Sequence, residues 1–195
     1  MNISKTKELC PEGHRAINPN LLCPVEINSQ HVEQVESFKY LGTVIDNNLS
    51  FTEHVDHITK KANQRMYLLR KLRSFNVSTD VLSLVYVSLI QSILSFNIVS
   101  WFGHTRVKDR ARLNRVVNTA SKIIGRKQKS LVEIHRDFTK RKARKVLTDD
   151  THPLHSRFVV LRSGRRLRTS KHNRNLFKLS FVPSAISIIN FDGIL

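Results

Sequence analysis

Between Val81 and Phe102 the chain runs for 22 residues without a charged side chain. Any fold must either bury that run in protein or pass it through lipid. Its length suits a bilayer, which a helix crosses with about 20 apolar residues. Seven of the 22 are polar, however: Ser83, Ser88, Gln91, Ser92, Ser95, Asn97 and Ser100. Placing Gln91 and Asn97 in hydrocarbon without partners is costly. The run is therefore read as a core helix of a water-soluble domain, opened by the N-cap chemistry of Ser78-Thr79-Asp80 and stopped at Gly103.

The flanks are patterned to cover it. Phe51, Val55, Ile58, Ala62, Met66, Leu69 and Leu72 recur at spacings of three and four, one apolar stripe on a first helix, with Lys60, Lys61, Arg65 and Lys71 off that stripe. A third helix is predicted from about Val107 to Ile124, with Leu113, Val116, Val117, Ala120, Ile123 and Ile124 inward and Gly125 at its C′ position. The fourth opens on Ser130-Leu131-Val132-Glu133, a capping box, and keeps Leu131, Ile134, Phe138 and Val146 apolar. Arg136, Lys140, Arg141, Lys142, Arg144 and Lys145 crowd the rest of it.

Upstream, Val25–Ile27, His31–Val35 and Phe38–Ile45 read as β runs, with turns at Asn28-Ser29 and Asp46-Asn47-Asn48. Residues before them, broken by Pro11, Gly13, Pro19 and Pro24, show no periodicity. Near the other end, Pro183 suits a helix N1 position before Ala185, Ile186, Ile188 and Ile189. The expected class is α+β, mostly α. An irregular segment (1–24) precedes a short antiparallel β-hairpin (25–48), a bundle of about four helices (49–147) and a basic arm with a short terminal helix (148–195).

Charge divides the 195 residues unequally. Residues 1–100 hold 10 basic and 9 acidic side chains, whereas residues 101–195 hold 23 and 6, so a net +17 of the total +18 lies in the second half. Such a surface attracts a polyanion, and nucleic acid held through its phosphates is the expected partner. Candidate contacts are Lys108, Arg112, Arg115 and Lys122, at helical spacing on one face, and Arg162, Arg165, Arg166 and Arg168, on the arm. Two cysteines, Cys10 and Cys23, do not make a disulfide scaffold. The polar N-terminus lacks the apolar run of a secretory signal, so a nuclear or cytoplasmic address is expected.

One series of blocks resembles the reverse transcriptase of non-LTR (LINE-type) retrotransposons. The blocks are Ser4-Lys5-Thr6-Lys7-Glu8, Val35-Glu36-Ser37-Phe38-Lys39-Tyr40-Leu41-Gly42, Ala62-Asn63-Gln64-Arg65-Met66-Tyr67-Leu68-Leu69-Arg70-Lys71-Leu72 and Trp101-Phe102-Gly103. Arg115–Ala120, Ile123-Ile124-Gly125, His152-Pro153-Leu154-His155 and Ser163-Gly164-Arg165-Arg166 extend the series over about Asn2 to Asn190. The resemblance implies a palm remnant over 1–24, a primer-grip-like hairpin carrying Phe38, Tyr40, Leu41 and Gly42, and a thumb-like bundle. It assigns Lys5 beside the leaving pyrophosphate; Lys61 and Arg65, off the apolar stripe of the first helix, are further candidate nucleic-acid contacts read from the residues themselves. The aromatic-x-Asp-Asp metal hairpin of such enzymes would precede Ser4. The only Asp-Asp pair, Asp149-Asp150, follows a predicted helix instead. The expectation is a catalytically incomplete fragment without a cofactor, or a translated relic with no biochemical role.

The same stretch also resembles the N-terminal domain of alkylated DNA repair protein AlkB homologue eight. That resemblance implies a 2-oxoglutarate, Fe(II)-dependent dioxygenase or its tRNA methyltransferase companion. His54-Val55-Asp56 matches His-x-Asp, and His152 or His155 could serve as a distant third ligand. On a helix, though, residues two apart diverge by about 200°. Too few strands are predicted for a jelly roll, and no glycine-rich loop is available for S-adenosylmethionine. Cys10, His14, Cys23 and His31 fit no standard zinc spacing. Trp101 is read as core, and Tyr40 suits either a core or a base-stacking position.

Overall fold

The computed structural model describes residues 6–10, 25–169, 171 and 175–193. It bears out the α+β, mostly α expectation. Among the described residues six short strands come first: β1 (Lys7–Glu8), β2 (Glu26–Ile27), β3 (Gln30–His31), β4 (Glu33–Gln34), β5 (Ser37–Tyr40) and β6 (Thr43–Asp46). They pair as β1 with β4 in parallel, and as β2 with β3 and β5 with β6 in antiparallel. Asn28 and Ser29 both have positive φ, the geometry of a two-residue hairpin turn. Phe38–Ile45, expected as one strand, instead folds back at Leu41 (φ 44°) and Gly42 (φ 88°). Phe38 then faces Ile45, and Tyr40 faces Thr43.

Buried Asp46 organises the turn that follows. Its carboxylate accepts the amides of Asn48 (3.1 Å), Ser50 (2.9 Å) and Phe51 (2.7 Å). Helix α1 (Thr52–Ser74) then begins. The chain gathers into two compact units, Met1–Ile58 and Thr59–Leu195. Val32, Phe51, Val55 and Ile58 are buried in the first.

In the second unit the uncharged run is broken, not straight. It comprises α2 (Thr79–Tyr86), a π turn (Val87–Gln91), α3 (Ser92–Ser95), α4 (Ile98–Trp101) and a 3₁₀ turn (Phe102–His104). Asn97, left-handed at φ 49°, separates α3 from α4; Asn tolerates this conformation better than most residues. By length and composition Thr79–His104 could cross a membrane. In this structure Leu82, Tyr86, Ile90, Leu94, Ile98 and Trp101 are all fully buried in protein. Trp101 is a core residue, its indole N–H donating to the Phe96 carbonyl at 2.9 Å.

Helices α5 (Val107–Ile124) and α6 (Leu131–Thr148) close over this run. The capping box is present in full: the Ser130 hydroxyl accepts the Glu133 amide, and the Glu133 carboxylate accepts the Ser130 amide. Helices α7 (Asn175–Lys178) and α8 (Phe181–Asp192) follow. Pro183 lies in the first turn of α8, two residues later than N1. Ala143 and Val146 of α6 form a second core with Phe158, Leu167, Ala185, Ile186 and Ile189.

Candidate nucleic-acid interface

A helix presents a charged stripe only where its other face is anchored. Leu113, Val116, Val117, Ala120 and Ile124 of α5 are buried, and Gly125 ends the helix at φ 80°, its amide bonded to the Ser121 carbonyl. Lys108, Arg115 and Lys122 therefore project together from the exposed face, and none makes an ion pair among the described residues. Arg112 shares the stripe but pairs at 3.4 Å with Asp109, which is fully buried in the first turn of α5. Its guanidinium thus balances a buried carboxylate.

The basic segment, expected as a loop or an extended arm, forms a fastened turn. The Arg168 amide donates to the Val159 carbonyl (2.7 Å) and the Leu161 amide to the Arg166 carbonyl (2.8 Å), while Gly164 takes φ 69° at the bend. Leu167 is buried, and the side-chain amide of Asn190 on α8 grips its backbone at both groups, accepting its N–H (2.8 Å) and donating to its C=O (2.9 Å). Buried Leu167 anchors a segment whose run of basic residues gave no sign of it. Arg162, Arg165, Arg166 and Arg168 remain exposed on the turn.

The hairpin in the first unit presents Tyr40 and Leu41 to solvent, 58% and 77% exposed, with Phe38 and Gly42 also exposed. Lys61 is exposed on α1. Arg65 is not a free cation, since it donates at 2.8 Å to the Leu89 carbonyl in the π turn. Lys5, His14 and Cys23 lie outside the described residues.

The residues of the iron alternative do not converge. His54 is buried, and its Nδ1 accepts the Val44 amide at 3.3 Å, which requires a neutral ring. Burial, aided by His57, holds its pKa down to about 4. Asp56 is exposed, and His152 uses Nδ1 to accept the Leu154 amide at 3.0 Å. Among the described residues no three of His, Cys, Asp and Glu gather where they could hold a metal ion. His31 pairs with Glu26 instead. Asp149 of the Asp-Asp pair caps α6 and accepts the Thr151 hydroxyl at 2.6 Å.

Sequence reading underweighted α6. Arg136 and Lys140 both pair with Asp192 of α8, whereas Arg141, Lys142, Arg144 and Lys145 are exposed without an ion pair among the described residues. Their density was visible in the sequence. Which of them Asp192 would occupy was not, because that carboxylate arrives from 50 residues or so downstream. Burial by Phe102, with Arg110 adjacent, lowers the pKa of His135 on the same helix to about 4.

Residues 51–92 match a protein family described as Alkylated DNA repair protein alkB homolog 8, N-terminal. The match covers about a fifth of the chain: α1, α2, the π turn and the first residue of α3. No curated protein and no solved structure matches. The alkB-type resemblance thus has a family match behind it, and none of the matches is to a reverse transcriptase.

Proposed function

We propose that this chain is a sequence-nonspecific nucleic-acid-binding module without catalytic activity of its own, thumb-like and derived from a LINE-type reverse transcriptase. The observation that carries the binding is the presentation of Lys108, Arg115 and Lys122 on one exposed, well-anchored helix face without carboxylate partners among the described residues. Phosphates are the complementary ligand, and such contacts position a duplex without reading its sequence. The matched family is described as a DNA repair protein, which supports a nucleic-acid setting for the helices around Phe51 to Ser92. No polymerase step is assigned, since the aromatic-x-Asp-Asp hairpin does not occur in these 195 residues.

The test is fluorescence anisotropy with a 20-base-pair duplex over a salt series. Each phosphate contact contributes about 0.9 to the slope of log K against log salt. The triple variant Lys108→Glu, Arg115→Glu, Lys122→Glu should bind less tightly and flatten that slope by roughly 3. A salt-independent affinity in the unaltered chain would overturn the reading.

The family match gives the dioxygenase alternative a specific basis, and melting separates it. A bound cofactor stabilises the fold that binds it. Fe(II) with 2-oxoglutarate should leave the thermal midpoint where it was, and a clear rise would restore the iron site. The same scan addresses the relic alternative, because a cooperative transition belongs to a chain that folds by itself.

A further inference from the structure

We propose a second nucleic-acid subsite on α6, one that takes an unpaired nucleotide. It rests on the binding function proposed above and extends it from duplex phosphates to a single-stranded base. Beside α6 lies a surface cavity of about 470 Å³. Val99, Phe138 and Val146 give it an apolar floor, and Arg141, Lys142 and Lys145 give it a cationic rim.

That division matches the chemistry of one nucleotide, an apolar flat base joined to an anionic phosphate. Phe138 is 36% exposed, and the Arg141 guanidinium lies over its ring at 5.5 Å from the centroid. An aromatic ring and an arginine plane are the two surfaces on which unstacked bases rest. Lys142 is held in place over the Phe181 ring at 5.4 Å. Arg141 and Lys145, one turn apart, also border a neighbouring cavity of about 430 Å³ with Lys140, Arg144, Thr148 and Asp137, whose carboxylate is paired with Lys129. They therefore stand as a ridge from which a phosphodiester strand can continue along the helix.

Asp149 and His152 also line the cavity, and the Asp149 carboxylate already accepts from Thr151. A paired base is already stacked in its duplex and has no free face to offer Phe138, so the subsite selects single strands.

Three probes distinguish the parts: a 12-nucleotide single strand, the same strand with abasic residues, and the blunt duplex. Phe138→Ala should weaken the normal single strand by about five-fold or more, the lower range for losing one stacked base. Abasic strand and duplex should change by less than about two-fold, since their phosphate contacts remain. Phe138→Tyr keeps a ring and should restore single-strand affinity, which separates stacking from a folding defect. Equal losses on all three probes, or no loss on the single strand, would overturn the subsite without bearing on whether the unaltered chain binds duplex. Failure of the unaltered chain to bind any probe would overturn both readings.

Discussion

Buried neutral imidazole makes a sharp prediction at the scale of single residues. His54 is 1% exposed, and its pKa falls from an ordinary 6.5 to about 4 through burial first and His57 second. Unfolded, the ring takes up a proton near pH 6.5; folded, it resists down to about 4. The contribution is therefore complete above pH 6.5 and lost progressively as pH falls toward 4, up to about 3 kcal/mol. Thermal midpoints measured across that interval should drop with acid. His54→Gln keeps an acceptor for Val44 but cannot titrate, so it should flatten the dependence. His135 adds a loss of the same sign from the second unit. Sequence reading isolated His54 and Asp56 and anticipated their divergence. Residue type could not say which would be enclosed, because that depends on Val44 arriving from the hairpin.

At the scale of elements, the fastened turn is open to direct attack. Asn190→Ala removes both hydrogen bonds to Leu167 while leaving its side chain in the second core. The turn should loosen, at a cost of about 1–3 kcal/mol. Limited trypsin digestion should then cut between Arg162 and Arg168 several-fold faster. Three of the four expected helices, α1, α5 and α6, were legible from apolar spacing, with caps agreeing at Ser130 and Gly125, whereas the uncharged run breaks at Asn97 and Ser78 makes no side-chain cap bond. The β5–β6 bend escaped the residue pattern, though the resemblance implied a hairpin carrying Phe38 to Gly42, because Leu41 holds a left-handed turn position where Asn or Asp usually signals the bend. The π turn did leave a trace. Leu82, Tyr86, Ile90 and Leu94 stand four apart, and in a regular helix three such steps drift by about 120°. A wider turn at Val87–Gln91 absorbs most of that drift and keeps all four residues inside.

Across the whole molecule, net charge was the most readable property and its use the least. The sequence places 23 basic residues in its second half, but Asp109, Asp80, Asp137 and Asp192 draw Arg112, Arg126, Lys129, Arg136 and Lys140 into ion pairs. What remains outward on α5, α6 and the turn is a subset that only packing selects. The π turn bears on how chains of this kind can diverge. Its wide winding is what one extra residue inside an α-helix produces. Losing one codon among residues 87–91 would restore regular winding and leave both flanks facing the core. The same loss in the middle of α5 would turn every later side chain by about 100° and expose Ala120 and Ile124. Among diverged copies, single-codon length changes within these helices should therefore survive at the π turn and be purged from α5.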